Sequence, residues 1–400
     1  MRITALQTIR LGEFPNLVWV RIHTDEGLSG LGETFMGAEA VEAHLHNYCA
    51  AQLLGRDPLQ IERLSGNLVG YLGGRGPGAE SRASSAVDIA LWDLYGKVVG
   101  QPIFQLLGGR SRDSIRIYNT CAGYRYIRKA SQQTVHNWGI SGKDAEGPYE
   151  DLDAFMHRAD ELALSLRDEG ITGMKIWPFD PYAEASGGLY ISPAELRKAI
   201  EPFEKIRAAV GDSMDIMVEF HSLWNLPTAI QIAQALAPFN TFWHEDPIRM
   251  DSLASLRSYA QRSKAPVCAS ETLSGRGAFR ELLESEAAGI IMFDLAWCGG
   301  LTEARKIAAM ADAWHLPVAP HDCTGPVVLT ASTHLSIHAP NALTQETVRA
   351  FYTGWYRELL TELPPISDGH IHALEGPGLG TDLLPGIEKR ADAIVRWTRS

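Results

Sequence analysis

Six charged side chains follow one another through the second half of the chain at a nearly constant spacing. They lie 23 to 27 residues apart, at positions 219, 245, 271, 294, 321 and 346, and each ends or follows a strand-like run such as DIMVEF or GIIMFD. In chain order they are Glu219, Glu245, Glu271, Asp294, His321 and Glu346. If these residues meet, the carboxylates repel one another unless a cation holds them, so the set predicts a metal site with acid–base groups.

The spacing also predicts the elements that bring these residues together. A strand, its covering helix and two loops need about that length of chain, so the period is that of a repeating βα unit. In a (β/α)8 barrel, the carboxyl ends of all strands meet at one active site. A single glutamate in such a position is more simply explained as a surface residue at a strand end. A series in register on successive strands favours a shared site.

Glu219, Glu245 and Glu271 are predicted to end the third, fourth and fifth barrel strands, which are neighbours. Their oxygens suit Mg²⁺ better than zinc, which prefers nitrogen and sulfur ligands. Asp294 and His321 are predicted on the sixth and seventh strands. A carboxylate bonded to an imidazole fixes its tautomer and raises its basicity, which makes a general base. Read alone, His321 could equally be a loop-capping residue.

Three further residues extend the predicted site, and Glu346, the last of the six, completes it. Lys175 ends the second strand, where it can neutralise an oxyanion or a substrate carboxylate, and Trp177 lies two residues later on the same face, facing the substrate. His221 follows Glu219 by two residues and points into the same mouth, where it can act as a general acid. Glu346 on the eighth strand can bond a developing oxyanion. The alternatives are a snorkelling lysine, a structural histidine and a salt bridge at the barrel rim.

Composition limits the classes of partner and the compartment. The 400 residues, 45% of them hydrophobic, are too many for one ordinary core. A formal charge of −12 argues against nucleic acid and anionic membranes as partners, but not against an anionic substrate beside a bound cation. The five cysteines form no CxxC pair, and no run of 18 apolar residues occurs, so we expect a cytoplasmic protein. The cysteines are Cys49, Cys121, Cys268, Cys298 and Cys323.

The βα period does not extend to the first third of the chain. Residues 1–110 contain alternating strands and then helical patterns, which predict a small α+β domain. Residues 111–362 are predicted to form the barrel, and residues 363–400 to pack back on the first domain. The stretches 124–150 and 181–192 are predicted to be long loops, of which the first is a candidate lid or substrate segment.

Several segments resemble the enolase superfamily, in its mandelate racemase/muconate lactonizing enzyme-like branch. They are SAVDIALWDLYGKVVGQPIFQLLGG, WHEDP, ASET, DLAWCGGLTEARKIAAMA and APHDCTGPVVLTAS, spread over almost the whole chain. The resemblance implies an α/β fold, a modified (β/α)7β TIM-like barrel with an N-terminal α+β capping domain completed by the C-terminal tail. It also implies Mg²⁺ on Glu219, Glu245 and Glu271, and the Asp294–His321 dyad as base.

Two residues depart from the pattern of that family. Glu219 stands where the family usually has aspartate. The triplet Lys175-Ile176-Trp177 stands where the racemases have a Lys-x-Lys pair whose second lysine is a base, so two-base proton transfer loses its usual second base. The Glu219-Phe220-His221 triplet resembles the acidic-x-His of galactonate dehydratase-type acid-sugar dehydratases. That resemblance implies that His221 is the acid for the departing hydroxyl and that Glu346 contacts the substrate carboxylate.

The resemblance therefore implies Mg²⁺-dependent dehydration of an acid sugar, an aldonate or aldarate, to a 2-keto-3-deoxy acid. A sugar-acid epimerase or cycloisomerase working through the same enediolate is the alternative, and a silent sugar-acid binding protein is a rival from another class. A homo-oligomer is expected. Specificity is expected in loops near residues 13–19 and 34–40, the GGRGPG loop and the 124–150 insertion. Candidate substrate contacts there are Arg75, Tyr124, Arg125, His136 and Trp138.

Overall fold

An antiparallel sheet forms the N-terminal part of the protein. The structure, a computed structural model, describes residues 1–68, 76–124, 126 and 149–400. The sheet has the order β14-β1-β2-β3. Its strands are β1 (Ile3–Leu11), β2 (Phe14–Thr24), β3 (Ser29–Phe35) and β14 (Ala393–Arg399). The predicted meander is confirmed, and residues 14–19, expected to belong to a loop, lie in β2.

One long helix covers this sheet. The first helices are α1 (Ala38–His44), α2 (Ala50–Leu53), α3 (Ile61–Asn67), α4 (Ala79–Val99) and α5 (Ile103–Leu107), and the π turn Leu45–Cys49 joins α1 to α2. The helix α4 lies so close to β3 that a Cβ on Gly30 or Gly32 would collide with the carbonyl oxygens of Ala90 and Ala86. Glycine is therefore required in β3 because the helix backbone packs directly on it.

Eight of the described strands form a parallel barrel. They are β4 (Ile115–Thr120), β5 (Gly173–Ile176), β6 (Asp215–Glu219), β7 (Trp243–Glu245), β8 (Val267–Ala269), β9 (Ile290–Asp294), β10 (Val318–His321) and β11 (Gln345–Thr347). Successive strands pair in parallel from β4 to β10, and β11 pairs with β4. Between β10 and β11, the Leu343 amide donates to the Val318 carbonyl at 2.8 Å. The barrel predicted from the charge spacing is confirmed.

Helices cover the outside of the barrel. They are α6 (Asp151–His157), α7 (Ala159–Asp168), α8 (Asp180–Ser186), α9 (Pro193–Val210), α10 (Leu226–Leu236), α11 (Leu253–Ala260), α12 (Gly275–Glu284), α13 (Gly300–Ala313), α14 (Pro326–His338) and α15 (Arg349–Thr353). Within the described ranges, none of the helices has the length and apolar character needed to cross a membrane.

The short helix α8 corrects one prediction. The stretch 181–192 was expected to be a loop, but its first half is helical. Pro181 suits the first turn of a helix, where its missing N–H is not needed, and Gly187 ends the helix with a φ of 63°. A loop prediction based on glycine and proline content overlooked that these residues also mark the two ends of a helix.

The C-terminal segment contacts both parts of the molecule. The strand β14 pairs with β1, and the Leu379 amide donates to Asp93 on α4 at 2.9 Å, as expected for packing on the N-terminal domain. The short strands β12 (Ile366–Ser367) and β13 (His370–Ile371) instead form a hairpin that pairs antiparallel with β4. This segment therefore also extends the barrel sheet, and the exact domain boundaries at 110 and 362 stay predictions.

A buried glutamate joins the N-terminal sheet to the barrel. Glu33 on β3 accepts hydrogen bonds from the Trp19 indole at 2.7 Å and from the amides of Val327 and Val328 at 3.0 Å each. These amides belong to the first turn of α14, where a carboxylate satisfies otherwise unpaired N–H groups. Burial raises the pKa of Glu33 to about 8, although the three donors oppose this rise. Through Glu33, the N-terminal domain fixes the start of the helix that follows β10.

Gly325 leaves the room that this contact needs, and replacing it tests the contact. A Cβ at Gly325 would collide with the Glu33 carboxylate, so we expect Gly325→Ala to lower the free energy of unfolding by about 2 kcal/mol through overpacking. Urea denaturation followed by circular dichroism measures the change. Gly277→Ala is the matched control, because its Cβ would meet no atom within 4 Å and alanine favours the helix by up to about 1 kcal/mol. Equal stability of the two variants would contradict the expectation.

Candidate active site

Three glutamates meet at the carboxyl ends of neighbouring barrel strands. Glu219 and Glu245 are the last residues of β6 and β7 and lie opposite each other in the ladder, and Glu271 follows β8 by two residues. One carboxylate oxygen from each lies within 4.8 Å of the others. An all-oxygen set of this kind suits a hard divalent cation. The predicted cluster is therefore assembled by the fold.

The Glu219 side chain folds back on the end of its own strand. Its Oε1 accepts hydrogen bonds from the amides of Phe220 at 3.0 Å and His221 at 2.6 Å. Its Oε2 is buried and accepts no hydrogen bond in the described part of the chain, although the Lys175 ammonium lies 3.3 Å away. The longer side chain thus keeps one oxygen directed toward the cluster while the other is held by the backbone.

Lys175 on β5 is the counter-charge of the site. Its Nζ lies 2.6 Å from Glu245 Oε1, 2.9 Å from Glu346 Oε1 and 3.3 Å from Glu219 Oε2. The side chain is only 3% exposed, which excludes a lysine that snorkels to solvent. Burial alone would lower the pKa of Lys175, but the three carboxylates hold it well above its usual value.

Glu346 on β11 is fully buried and belongs to the same network. It accepts hydrogen bonds from the Thr120 hydroxyl and, at 2.8 Å, from the Asp322 amide. Its Oε2 lies 4.0 Å from His321 Nε2. The pKa of Glu346 is lowered from its usual range because Lys175 and His321 together outweigh the desolvation of the carboxylate. Its ion pair with Lys175 lies inside the barrel mouth, not at an exposed rim.

Asp294 and His321 form the dyad that the sequence predicted. They end the adjacent strands β9 and β10, and Asp294 Oδ2 lies 2.7 Å from His321 Nδ1. The other ring nitrogen, Nε2, lies 2.8 Å from Glu271 Oε2. Burial alone would lower the pKa of His321, but Glu271, Glu346 and Asp294 hold it well above the usual value. The bond at Nδ1 directs Nε2 toward the metal-ligand cluster.

The N-terminal domain fixes the surroundings of this dyad. The Trp297 indole stacks on the His321 ring with the centroids 5.5 Å apart, and its Nε1 donates to the Phe35 carbonyl at 3.0 Å. Next to it, the Thr34 hydroxyl donates to the Ala296 carbonyl at 2.9 Å. The end of β3 therefore holds the loop after β9, and this loop supports the imidazole.

A second aspartate–histidine pair was not predicted. His221 Nδ1 lies 2.6 Å from Oδ2 of Asp180, a fully buried residue at the start of α8. Although burial opposes the charged form, Asp180 and Glu219 raise the pKa of His221 to about 9. Burial raises the pKa of Asp180 to about 6, against the influence of His221. The sequence contained one signal for this pair, because Asp180 is the carboxylate that ends the strand-like segment GITGMKIWPFD.

A cleft with about 430 Å³ of free space, part of it open to solvent, connects these groups. His221 follows β6 and His321 ends β10, the third and seventh strands of the barrel, so the two imidazoles approach from opposite sides. Trp177 lies in the cavity wall with Lys175, as predicted, and its ring meets that of His221 edge to face at 5.8 Å. The lining consists of Phe35, Thr120, Tyr126, Lys175, Trp177, Glu219, His221, Glu271, Trp297, His321 and Cys323.

The remaining predicted substrate contacts are not part of this geometry. Tyr124 is buried, donates its hydroxyl to Glu358 at 3.4 Å and is not among the described residues that line the cavity. The other four lie outside the described residues, namely Arg75, Arg125, His136 and Trp138. Phe35 is the residue of the predicted 34–40 region that reaches the cavity.

Comparison with known proteins agrees with this architecture. Residues 4–108 match the family described as the mandelate racemase/muconate lactonizing enzyme N-terminal domain, and residues 158–387 match the enolase C-terminal domain-like family. A D-galactonate dehydratase of Ralstonia nicotianae is 31% identical over 396 residues, covering 96% of this chain and 92% of the relative. A D-xylonate dehydratase of Haloferax volcanii is 30% identical over 392 residues, covering 96% and 88%.

A solved structure is more similar in sequence. It is the crystal structure of an enolase of the mandelate racemase subgroup from Agrobacterium tumefaciens, 58% identical, with a TM-score of 0.89 and coverage of 100% of this chain and 99% of that one. The resemblance inferred from the sequence motifs is confirmed by matches over nearly the full length. The chain belongs to the mandelate racemase/muconate lactonizing enzyme branch of the enolase superfamily and is an enzyme of the hydro-lyase class.

Proposed function

We propose that the chain catalyses the Mg²⁺-dependent dehydration of an acid sugar, an aldonate or aldarate, to a 2-keto-3-deoxy acid. The observation that carries the proposal is the pair of imidazoles, His221 and His321, on opposite sides of one cavity beside three clustered glutamates. The dehydratase relatives support the same reaction type. Dehydration needs one group to accept a proton and another to donate one, and the two imidazoles provide both.

The metal would be held by Glu219, Glu245 and Glu271. Their all-oxygen donor set and the buried Oε2 of Glu219 fit a small hard cation. Bound there, Mg²⁺ would supply positive charge that stabilises the negative charge developing on the substrate carboxylate. Lys175 and Glu346 lie beside the cluster and would orient that carboxylate, Lys175 as a charged donor.

The chemical steps follow from the positions of the two imidazoles. In its neutral form, with Nδ1–H donating to Asp294, His321 accepts the α-proton from C2 of the substrate at Nε2. The electrons of the broken C–H bond first pass into the substrate carboxylate, giving an enediolate, and they form the C2–C3 double bond when the C3–O bond breaks. His221 donates a proton to the departing 3-hydroxyl, which leaves as water. The resulting enol then tautomerises to the 2-keto-3-deoxy acid.

The barrel geometry favours anti elimination, which the sequence left open. His321 and His221 stand on the seventh and third strands of an eight-stranded barrel, which face each other across its axis. A proton removed from one side and a hydroxyl protonated from the other leave opposite faces of the C2–C3 bond. We therefore expect the acid sugar to bind with its C2–H and C3–O bonds antiperiplanar.

A sugar-acid epimerase or cycloisomerase remains the second candidate. The specific observation in its favour is the Asp180–His221 pair, because an imidazole held in this way could return a proton to C2 on the face opposite His321. The products separate the two functions, since a 2-keto acid forms a semicarbazone and an epimer does not. A homo-oligomer and a cytoplasmic location stay predictions.

The role of Lys175 as counter-charge yields a test of the metal site. In chelator-treated protein, Lys175→Met leaves three buried carboxylates without a cation, so we expect the free energy of unfolding to fall by about 3–5 kcal/mol. Added MgCl₂ should recover more stability in this variant than in the wild type. Lys198→Met, at an exposed position on α9, is the control and should behave like the wild type. Equal gains from MgCl₂ in all three proteins would argue against metal binding at the cluster.

The proposed reaction is tested with a panel of acid sugars in D₂O with MgCl₂. The panel contains D-galactonate, D-xylonate and other C4 to C6 mono- and diacid sugars, and it is read by semicarbazone formation and by NMR of α-deuterium. We expect a 2-keto product from at least one acid. His321→Asn should abolish both signals while leaving metal binding intact, because it removes the base and no ligand. Activity of that variant above a few per cent of wild type would exclude His321 as the base.

The role of His221 as the acid for the leaving hydroxyl can be tested separately from the role of the base. With the active acid sugar, His221→Asn should lose the keto product while the substrate still exchanges its α-proton for deuterium, because His321 and the carboxylate cluster remain. Comparison of product formation with deuterium content in the recovered substrate gives both rates in one sample. Loss of both together would mean that His221 maintains the site or removes the proton itself.

A further inference from the structure

Asp180 is a buried carboxylate that has no evident role in holding the fold together. Its side chain is fully buried, and its Oδ2 is bonded to His221 Nδ1 at 2.6 Å. Its other oxygen, Oδ1, is buried without a hydrogen-bond partner in the described part of the chain. Asp180 is the first residue of α8, after the N-cap Phe179, and its Oδ1 accepts no bond from the described helix amides. A carboxylate with so little other compensation is costly to bury.

The imidazole that Asp180 contacts is held in an unusual backbone conformation. His221 and Ser222 have φ angles of 49° and 58°, in the left-handed region that residues other than glycine rarely adopt. Such conformations persist where the surroundings fix them, and they are common at functional sites. The Trp177 ring meets the imidazole edge to face at 5.8 Å. Backbone, indole and carboxylate together define one orientation of the His221 ring.

The aspartate contact at Nδ1 repeats that of the base on the opposite side of the cavity. There, Asp294 binds His321 at Nδ1, and a tryptophan, Trp297, packs on the ring. In both pairs the aspartate occupies Nδ1, so Nε2 is the nitrogen that can serve a substrate. The two imidazoles therefore have the same kind of support, although the supporting residues come from unrelated positions in the sequence.

We propose that Asp180 is a positioning residue, which holds Nδ1–H of His221 and thereby turns Nε2 toward the leaving group of the substrate. The inference rests on the proposed dehydration and adds to it the residue on which the proton donor depends. Asp180 itself does not touch the substrate. Its loss should affect the elimination step, which uses His221, and not the proton abstraction by His321.

The kinetic test compares Asp180→Asn and Asp180→Ala with wild type, using D-galactonate and D-xylonate with MgCl₂ in D₂O. We expect kcat for formation of the keto product to fall about 10- to 100-fold, the loss typical when a residue that orients a functional histidine by a hydrogen bond is removed. KM and the exchange of the α-proton for deuterium should be unchanged. Glu184→Gln, which removes an exposed carboxylate from the same helix, should match the wild type. If exchange falls in parallel with elimination, Asp180 maintains the whole site and the proposal is wrong.

A structural readout keeps the inference separate from the proposed function. Crystal structures of the wild type and of Asp180→Ala would show the His221 ring directly, whether or not either acid is a substrate. We expect the ring to leave its wild-type orientation in the alanine variant, while His321 and the three glutamates stay in place. A His221 ring that keeps its orientation would overturn the proposal. Displacement of the ring in a protein that converts neither acid would retain the positioning role and reject dehydration of these acids.

Discussion

The concentration of negative charge at the barrel mouth is the constraint on which the rest of the site depends. Glu219, Glu245 and Glu346 each lie within 3.3 Å of one buried ammonium, that of Lys175. Burying three carboxylates with a single cation leaves an excess of negative charge, which a divalent cation at the glutamate cluster would neutralise. Against the effect of burial, Glu271, Glu346 and Asp294 also raise the pKa of His321. Ligand cluster, lysine and imidazole thus form one electrostatic unit, and each member would be unfavourable alone.

The N-terminal domain is part of this unit, although none of its described residues contributes a charged group to the metal cluster. Glu33 fixes the first turn of α14, directly after the loop that begins at His321, and the Phe35 carbonyl holds the indole of Trp297 against the imidazole. The barrel therefore positions the functional groups along the strands, and the sheet of the first domain fixes the loops that support them. This division explains why the cavity is lined by residues as far apart in the sequence as Phe35 and Cys323.

The imidazoles on the two sides of the cavity have the same kind of support, although the supporting residues belong to different elements. An aspartate at Nδ1 and an aromatic ring beside the imidazole are found at both His321 and His221. On one side the aspartate is a strand-end residue, Asp294, and on the other it is the first residue of a helix, Asp180. Trp177, which stands where the resemblance to the racemases implies a second lysine, contributes a ring that meets His221 edge to face. The departure from the racemase pattern thus goes together with a second supported imidazole.

The sequence by itself determined the barrel, the glutamate cluster and the Asp294–His321 dyad. Their signal is local and periodic, because parallel strands of similar length place their last residues at the same edge. It did not reveal that Asp180 supports His221, since a contact between residues 41 positions apart depends on how a short helix turns after β5. Nor did it reveal Glu33 at the start of α14, a contact across 294 positions. Only the tertiary structure decided these contacts, because they join side chains from elements that share no periodic pattern.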